Sequence, residues 1–429
     1  MRPAARVQAT IELLDERAES GYPADRIMAA YFKQRRYIGA KDKAAISEYF
    51  YSVLRQQSSL TFLLQSASLP TDNRWLMVAL LLCAGENVAE LYNGEQFSPA
   101  ALSASSLGSL EQFDETRLDT APSYIQLNVP EWLEPKLQAA LGERYVDEMH
   151  AMNQRAATDI RVNTLKATRE ELVAELEKVG FATELTALSP WGIRFSTRVA
   201  LFNTDMFRRG WFEVQDEGSQ LLALLSAASP GQTIVDFCAG AGGKTLAMAA
   251  MMQNKGSLYA CDVHSKRLEQ LGKRKKRADI HNIRTHVLSS EHDKWVKQHS
   301  GRADTVLIDA PCSGTGTWRR SPDSRWNLQP EGLANLVALQ HSILDSACRL
   351  VKPGGRLLYA TCSLLQEENE EQISAFLARN SEFSASTLDL SELLPGNHER
   401  FVASDHSMRT FPGLSGTDGF FVASLVRAS

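Results

Sequence analysis

The chain has 429 residues, of which 44% are hydrophobic and 23% are charged, a composition typical of a soluble globular protein with two or three domains. The longest apolar stretch, residues 75–84, is about half as long as a membrane-spanning helix requires, and the first residues contain no apolar segment of the kind that directs secretion. The formal net charge of −5 gives no global indication of nucleic-acid binding, so such a function has to rest on local clusters of basic residues.

The six cysteines contain no C-x-x-C pair, a pattern that favours neither a zinc site nor a disulfide framework. Reduced thiols are typical of cytoplasmic proteins. We therefore expect a cytoplasmic protein without a metal centre or membrane attachment, and we expect it to be a monomer.

Residues 1 to about 92 carry apolar side chains at helical spacing throughout, as in Val7, Ile11 and Leu14. Basic residues crowd the second predicted helix and the turn after it: Lys33, Arg35, Arg36, Lys41 and Lys43. This cluster is either a solvated helix end or a surface that faces nucleic-acid phosphates. A loop-rich segment follows, so the first predicted domain is helical and spans residues 1–125 with its linker.

Residues 126–210 are predicted to form a small α/β domain. Strands are expected at 159–163 and 192–195. Between them, Thr168 and Glu171 form a capping box for a helix that ends at Gly180.

Residues 211–429 are predicted to form the catalytic domain, because strands and helices alternate there. Strands are expected at 233–237, 257–262, 283–288, 304–309 and 355–361. Continuous apolar runs such as 305–308 are typical of parallel strands that are buried on both faces. The fold class is therefore α/β, with a doubly wound, mostly parallel, Rossmann-like sheet that binds ligands beyond the carboxyl ends of its strands.

A glycine-rich turn, residues 236–245, joins the first of these strands to a helix. The phosphate-binding P-loop needs Gly where Cys238 stands, and the dinucleotide fingerprint needs Gly where Thr245 stands, so neither motif fits. Asp262 ends the second strand, where an acid holds a ribose hydroxyl. These features favour a nucleoside cofactor without a diphosphate, and S-adenosylmethionine (SAM) is the commonest such cofactor.

Two cysteines follow strand ends on the ligand-binding edge of the predicted sheet. Cys312 comes just after the strand that ends at Asp309, and Cys362 follows the strand that ends at Thr361. A single cysteine in such a place is more often a small buried residue than a nucleophile. Two on one edge, one of them near an acid, favour a catalytic pair.

These motifs resemble the RNA cytosine-5 methyltransferases of the NOL1/NOP2/Sun family. The resemblance rests on Asp309-Ala310-Pro311-Cys312-Ser313-Gly314-Thr315-Gly316, Tyr359-Ala360-Thr361-Cys362-Ser363, Glu367-Glu368-Asn369-Glu370, Arg320–Trp326, Val214–Gln220 and Asp418–Phe421. Residues 39–46 resemble the NusB-like domain of the bacterial members that act on small-subunit rRNA. The implied fold is that of the class I SAM-dependent methyltransferases.

The resemblance implies a role for each site residue. Cys362 would be the nucleophile that adds to carbon 6 of cytosine, Asp309 would hold the ring near N3 and the exocyclic amine, and Cys312 would assist loss of the carbon 5 proton and product release. The implied cofactor contacts are Cys238, Ala239, Gly240, Ala241, Gly242, Gly243, Lys244, Asp262, Ser290 and Asp309.

The sequence departs from the family pattern at two of these positions. Ser290 stands where an acid is expected for the adenine amine, with Glu291 and Asp293 close by, and Ala241 stands where Pro is expected. The first departure bears on the adenine contact, and the second on the stiffness of the loop.

The substrate implied by the resemblance is RNA with an unstacked cytosine. Candidate RNA contacts are the basic stretch 266–277, for which a solvated helix face is the alternative, and Arg319, Arg320 and Arg325. The acidic run 367–371 is predicted to be the polar start of a helix.

The NusB-like resemblance favours small-subunit 16S rRNA, with tRNA or 23S rRNA as the alternatives. Two other functions stay open at this point. One is a nicotinamide-dependent oxidoreductase on the same sheet, and the other is a non-catalytic RNA-binding factor for ribosome assembly.

Overall fold

The computed structural model describes residues 1–197, 199–388, 390, 394 and 396–429, which form two units. The first unit comprises residues 1–154 and 318–328, and the second comprises residues 155–317 and 329–429. The domain boundaries predicted at residues 125 and 210 stay predictions.

The first unit is helical, as the apolar spacing predicts. Its helices are α1 (Pro3–Ser20), α2 (Ala24–Gln34), α3 (Ala40–Arg55), α4 (Gln57–Ser66), α5 (Asn73–Cys83), α6 (Val88–Leu91), α7 (Ala104–Leu110), α8 (Ser123–Gln126), α9 (Glu134–Leu141), α10 (Tyr145–Met152) and α17 (Ser324–Asn327). Helix α5 begins where the Asp72 side chain accepts a hydrogen bond from the Trp75 N–H. Its apolar residues, including Met77 and Leu81, are fully buried in the core that it forms with α1 and α3.

The segment 318–328 packs into this first unit although it lies far along the chain. Arg325 is 1% exposed and donates to the Asn128 carbonyl at 2.8 Å and to Asn153 Oδ1 at 2.7 Å. Burial lowers its pKa to about 9. The prediction that Arg325 contacts RNA is therefore wrong, because its side chain is buried inside the first unit. Arg319 is also buried, whereas Arg320 is exposed.

The second unit contains two sheets. The smaller is antiparallel with strand order β2-β3-β1-β4 and consists of β1 (Thr158–Val162), β2 (Glu184–Leu185), β3 (Gly192–Phe195) and β4 (Phe212–Val214). The predicted helix between β1 and β2 is α11 (Arg169–Lys178), and the capping box of Thr168 and Glu171 is confirmed. Helix α12 (Asp205–Arg208) precedes β4.

The larger sheet has the strand order β11-β12-β13-β9-β8-β5-β6-β7 in the described part of the chain, with β10 paired to β13. Its strands are β5 (Thr233–Asp236), β6 (Ser257–Asp262), β7 (Ile283–Val287), β8 (Ala303–Asp309), β9 (Val351–Thr361), β10 (Phe383–Ala385), β11 (Val402–Ala403), β12 (Ser407–Thr410) and β13 (Phe420–Arg427). Strands β5 to β9 are parallel, which confirms the five predicted strands and the doubly wound fold. The antiparallel strands β10 to β13 were not predicted.

Helices cover this sheet: α13 (Glu217–Leu225), α14 (Gly243–Met251), α15 (Ser265–Ala278), α16 (Lys294–Gln298), α18 (Pro330–Ala347), α19 (Glu370–Arg379) and α20 (Pro412–Ser415). Short 3-10 helices lie at Glu115–Thr120, Glu131–Leu133, Gly142–Arg144, Leu201–Asn203, Thr315–Thr317, Cys348–Leu350, Gln366–Glu368 and His398–Arg400. Two buried clusters, which include Leu258 and Leu358 in one and Val306 and Tyr359 in the other, form the core around the larger sheet, and a third with Ile160 lies at the smaller sheet. Across the described residues, no helix combines the length and apolar character needed to cross a membrane.

Candidate active site

A cavity of about 470 Å³ opens at the carboxyl ends of β5, β6 and β8. The chain runs from β5 outward to β7 and then crosses to β8 on the other side of β5, so the strand order reverses at this point. Open α/β sheets bind ligands at such a switch point, and the volume suits a small-molecule site. The predicted site residues that line the cavity are Cys238, Ala239, Gly240, Ala241, Gly243, Lys244, Asp262, Asp309, Cys312 and Cys362.

The glycine turn has its shape because two of its residues adopt left-handed backbone conformations. Gly240 has φ +56° and donates its N–H to Asp262 Oδ2 at 2.8 Å. Gly242 has φ +82°, and a Cβ there would lie 2.2 Å from Leu271 Cδ1 of α15. Gly242, which was predicted to contact the cofactor, lies outside the cavity lining and allows α15 to pack closely instead.

Asp262 connects the end of β6 to the glycine turn. Its Oδ2 accepts from Gly240 and its Oδ1 accepts from the His264 N–H at 2.7 Å. Each carboxylate oxygen keeps a second lone pair, so Asp262 can still accept a hydrogen bond from a ribose hydroxyl.

After β7, Glu291 lines the cavity and Ser290 does not, so the predicted contact at Ser290 is wrong and the acid available there is Glu291. The Ser290 hydroxyl accepts from the His292 N–H at 3.1 Å. The Ser342 hydroxyl donates to Glu291 Oε1 at 2.7 Å, and this bond holds the pKa of Glu291 below its ordinary value. Asp293 caps the N-terminus of α16 by accepting from the Trp295 N–H, and it does not line the cavity.

The structure brings the two predicted catalytic cysteines together: Cys312 Sγ and Cys362 Sγ lie 3.3 Å apart. The pKa of the Cys312 thiol lies well above its ordinary value, first because it is hydrogen-bonded to Cys362 and second because it is buried. Either sulfur can donate in such a pair, but a raised pKa makes Cys312 the one that keeps its proton. Cys312 therefore donates the hydrogen bond, and the Cys362 sulfur accepts it.

Lys244 and Asp309 form an ion pair inside the cavity, with Nζ 2.6 Å from Oδ2. Burial alone would lower the pKa of Lys244, but the negative groups around it, Asp309 first and Asp236 next, together outweigh burial, and the net shift is upward. Lys244 also interacts electrostatically with the Cys362 sulfur. The ammonium therefore places a positive charge near that sulfur.

Glu368 holds the loops of both cysteines, a role that the sequence did not reveal. Its carboxylate is fully buried and accepts from the Ser313 N–H at 2.8 Å, from the Ser313 hydroxyl at 2.5 Å and from the Ser363 hydroxyl. Gln340 Nε2 donates to it at 2.8 Å. The prediction that residues 367–371 are only the polar start of a helix is wrong for Glu368, because its charge lies in the core.

Two glycines from different motifs enclose the backbone of Cys362. The Gly316 N–H donates to the Cys362 carbonyl at 2.9 Å, and the Gly419 N–H donates to the Gly316 carbonyl at 2.8 Å. A Cβ on Gly316 would lie 2.2 Å from the Gly419 carbonyl oxygen. No side chain fits between these segments, which explains why glycine occupies both positions.

Asp236 at the end of β5 lines the cavity, although it was not predicted as a site residue. It is 1% exposed and accepts from Thr245 Oγ1 at 2.6 Å, while its Oδ1 has no hydrogen-bond partner among the described residues. Burial raises the pKa of Asp236 to about 7. Its position at the start of the glycine stretch was the only indication in the sequence.

A side chain from the smaller sheet supports the glycine turn. Arg161 of β1 is buried and donates to the Gly243 carbonyl at 2.6 Å and to Gln215, which itself lines the cavity. Among the described residues, no group of three or more His, Cys, Asp and Glu side chains is arranged to hold a metal ion.

The parallel sheet with its cavity at the switch point has the fold of the SAM-dependent methyltransferases. Residues 223–426 match the family model described as 16S rRNA methyltransferase RsmB/F, and residues 129–201 match the ferredoxin-like domain of the same proteins. The chain is 30% identical over 413 residues to the ribosomal RNA small subunit methyltransferase B of Photorhabdus laumondii, which covers 92% of this chain and 93% of that one.

Solved structures agree with this match. The crystal structure of PH0851 is 29% identical, with a TM-score of 0.77 and 99% of both chains covered. A methyltransferase homolog protein from Pyrococcus horikoshii is 26% identical, with a TM-score of 0.62 over 73% of this chain and 99% of that one. The chain belongs to the RsmB/F family of 16S rRNA methyltransferases.

Proposed function

We propose that the protein transfers a methyl group from SAM to carbon 5 of a cytosine in 16S rRNA, through a covalent bond between Cys362 and carbon 6. The observation that carries this proposal is the pair of sulfurs 3.3 Å apart, beside Asp309 and in one cavity with the glycine turn. Membership of an rRNA methyltransferase family supports the substrate.

The residues around the cavity fit SAM. Asp262 and Glu291 offer carboxylate oxygens to the ribose and adenine, and residues 238–241 and 243 of the glycine turn line the cavity. The buried, unpartnered Oδ1 of Asp236 fits the positively charged amino group of the methionine part. When bound, SAM supplies an electrophilic methyl group.

Cys362 begins the reaction on the base. Its thiolate adds to carbon 6, a carbon–sulfur bond forms, and the electrons of the 5,6 double bond become available at carbon 5. Carbon 5 can then take the methyl group, whose former bonding electrons stay with the donor sulfur. Addition divides one difficult substitution into easier steps.

Asp309 and Lys244 act on the opposite edge of the ring. Asp309 binds the base near N3 and the exocyclic amine. The Lys244 ammonium, which is paired with Asp309, is the source of a proton for N3. A proton delivered towards N3 offsets the negative charge that the ring gains as the thiolate adds.

Cys312 completes the reaction. Its pKa is high first because of its hydrogen bond to Cys362, and that cause is lost once Cys362 is bonded to carbon. The thiol can then give up its proton to water and, as a thiolate, remove the hydrogen from carbon 5 as a proton. The electrons of that C–H bond restore the double bond as the Cys362–carbon bond breaks.

The proposal is tested by comparing 16S rRNA from cells with and without the protein by bisulfite sequencing, followed by transfer of a labelled methyl group to the unmodified rRNA by purified enzyme. We expect one cytosine to lose its methylation in the cells and to regain it in the reaction. Methylation of tRNA or 23S rRNA instead would show that one of these RNAs is the substrate. No methyl transfer to any RNA would favour the non-catalytic assembly factor.

A further inference from the structure

A second concave surface lies in the same unit as the active site, with a volume of about 900 Å³. One wall comes from the segment around α12 and β4, with Phe202, Phe207 and Trp211, and the other comes from the last turns of α15, with Lys273 and Lys276. We call this surface the α15 groove. The catalytic residues described above do not line it.

The α15 groove is strongly basic. Six cationic side chains and one carboxylate line it. Lys166 and Arg209 face carboxylates at 4.0 and 3.8 Å, and Arg277 pairs with Glu213. Lys273 and Lys276 are exposed and form no ion pair in the described part of the chain, so their charges are available to an external anion.

Aromatic rings stand between these cations. Phe202 is 64% exposed and contacts Phe207 edge-on, with ring centroids 5.0 Å apart. The Arg209 guanidinium lies 4.7 Å from the Trp211 ring centroid, and that of Arg277 lies 3.9 Å from the Phe207 centroid. A solvated helix face explains the lysines but not an exposed Phe on the opposite wall.

Cations interleaved with accessible aromatic rings are typical of sites for single-stranded nucleic acid, where bases stack on rings and lysines bind phosphates. Duplex RNA is recognised by shape, phosphates and 2′-hydroxyls, for which an exposed Phe has no use. An acidic protein segment would pair with the cations, but its carboxylates would make no stacking contact with the aromatic rings.

The α15 groove is connected to the active site through Glu213. This carboxylate binds Arg277 of the groove on one side and Arg274 on the other, at 3.1 Å. Arg274 lines the catalytic cavity and donates to the Ala241 carbonyl in the cofactor turn at 2.7 Å. Both surfaces therefore lie on one helix.

We infer that the α15 groove binds a single-stranded segment of the substrate RNA outside the catalytic cavity, with Phe202 stacking on a base and Lys273 and Lys276 contacting phosphates. This inference rests on the proposed function, because it assumes an RNA substrate. It adds a binding site to a catalytic cavity that has room for the cofactor and the reacting base.

The test compares Lys273→Glu/Lys276→Glu and Phe202→Ala with the wild type and with a control, Lys297→Glu, which reverses an exposed charge on α16. Binding of a short unstructured RNA and of a matched duplex is followed by fluorescence anisotropy at several salt concentrations, and SAM binding by calorimetry. Unchanged SAM binding shows that a variant is folded.

We expect the double variant to bind the single strand at least tenfold more weakly, with a salt slope about 1 to 2 smaller than that of the wild type. Phe202→Ala should weaken single-strand binding about fivefold or more and leave duplex binding unchanged. The control should behave as the wild type.

Wild-type affinity in both groove variants would overturn the inference while leaving the proposed function intact. Groove variants that methylate naked rRNA normally but fail on ribosomal particles would also overturn the inference, since the groove would then bind a protein. Failure of the wild-type enzyme to methylate any RNA would instead count against the proposed function.

Discussion

The two sides of the catalytic cavity are built differently. On the cofactor side, the turn from Cys238 to Lys244 is one continuous stretch, and its main contact is between neighbouring strand ends, where Asp262 binds the Gly240 N–H. On the thiol side, two loops that lie 50 residues apart are held by one buried carboxylate, Glu368. The cofactor side therefore depends mainly on the local shape of one turn, to which Arg161 and Arg274 donate hydrogen bonds, and the thiol side depends on a buried side-chain network.

The largest effect is expected on the thiol side from Glu368→Ala. Removing the carboxylate leaves the buried Ser313 N–H without its acceptor, at roughly 1–3 kcal/mol, and removes the acceptor that the Ser363 hydroxyl and Gln340 share with it. We expect methyl transfer to fall at least 100-fold while SAM binding by calorimetry changes little. Glu368→Gln, which keeps one acceptor oxygen, should recover part of the rate. Equal losses of methyl transfer and SAM binding would show that the two sides are not independent.

A loss of about 100-fold in kcat is expected for Lys244→Met, because the variant loses the positive charge beside Asp309 and Cys362. Lys244→Arg keeps the charge and should lose less. Single-turnover kinetics at saturating SAM separates this effect from cofactor binding. If Met and Arg at this position were equally slow, the charge would not be the cause.

On the cofactor side, Gly242→Ala should destabilise the protein and weaken SAM binding, because the new Cβ meets Leu271 and the backbone is left-handed. Gly231→Ala is a matched control, since Gly231 has φ +91° and open space around it. We expect Gly242→Ala to cost about 1–3 kcal/mol more than the control in denaturant unfolding. Equal costs would show that only the backbone conformation matters.

A further effect concerns the pH dependence of stability. The pKa of Asp236 is raised by burial to about 7, so the folded state holds this proton more tightly than the unfolded state does. The corresponding stability is complete below about pH 4 and is lost as pH rises to 7, where ionisation costs on the order of 4 kcal/mol. Asp236→Asn should therefore gain in Tm over the wild type between pH 4 and pH 8. The exposed control Asp205→Asn should show no such trend, and a constant difference for Asp236→Asn would contradict the shift.

The strands and the acid on the cofactor side could be predicted because they are local in sequence, whereas Gly242 and Ser290, which were also predicted as contacts, lie outside the cavity lining. The strands at 233–236 and 257–262 and the acid at Asp262 follow from apolar runs and turn residues close in sequence. The sequence also placed Cys312 and Cys362 on one edge, because parallel strands end together.

Other features could not be predicted because they depend on distant contacts. Glu368 lies in a run of exposed-looking carboxylates, and only the folded loops bury it. The burial of Arg325 could not be predicted either, since its partners Asn128 and Asn153 are more than 170 residues away in sequence. Strand β13 pairs antiparallel with β9, and the apolar residues of β13 do not indicate that direction.

The most direct test of the account is the covalent bond itself. Cys312→Ala and Cys362→Ala are incubated with 16S rRNA and SAM and resolved on denaturing gels. We predict that Cys312→Ala accumulates a protein–RNA adduct, because Cys362 can add to the base but its release is blocked, and that Cys362→Ala forms none. An adduct with Cys362→Ala and none with Cys312→Ala would contradict the assignment of the nucleophile.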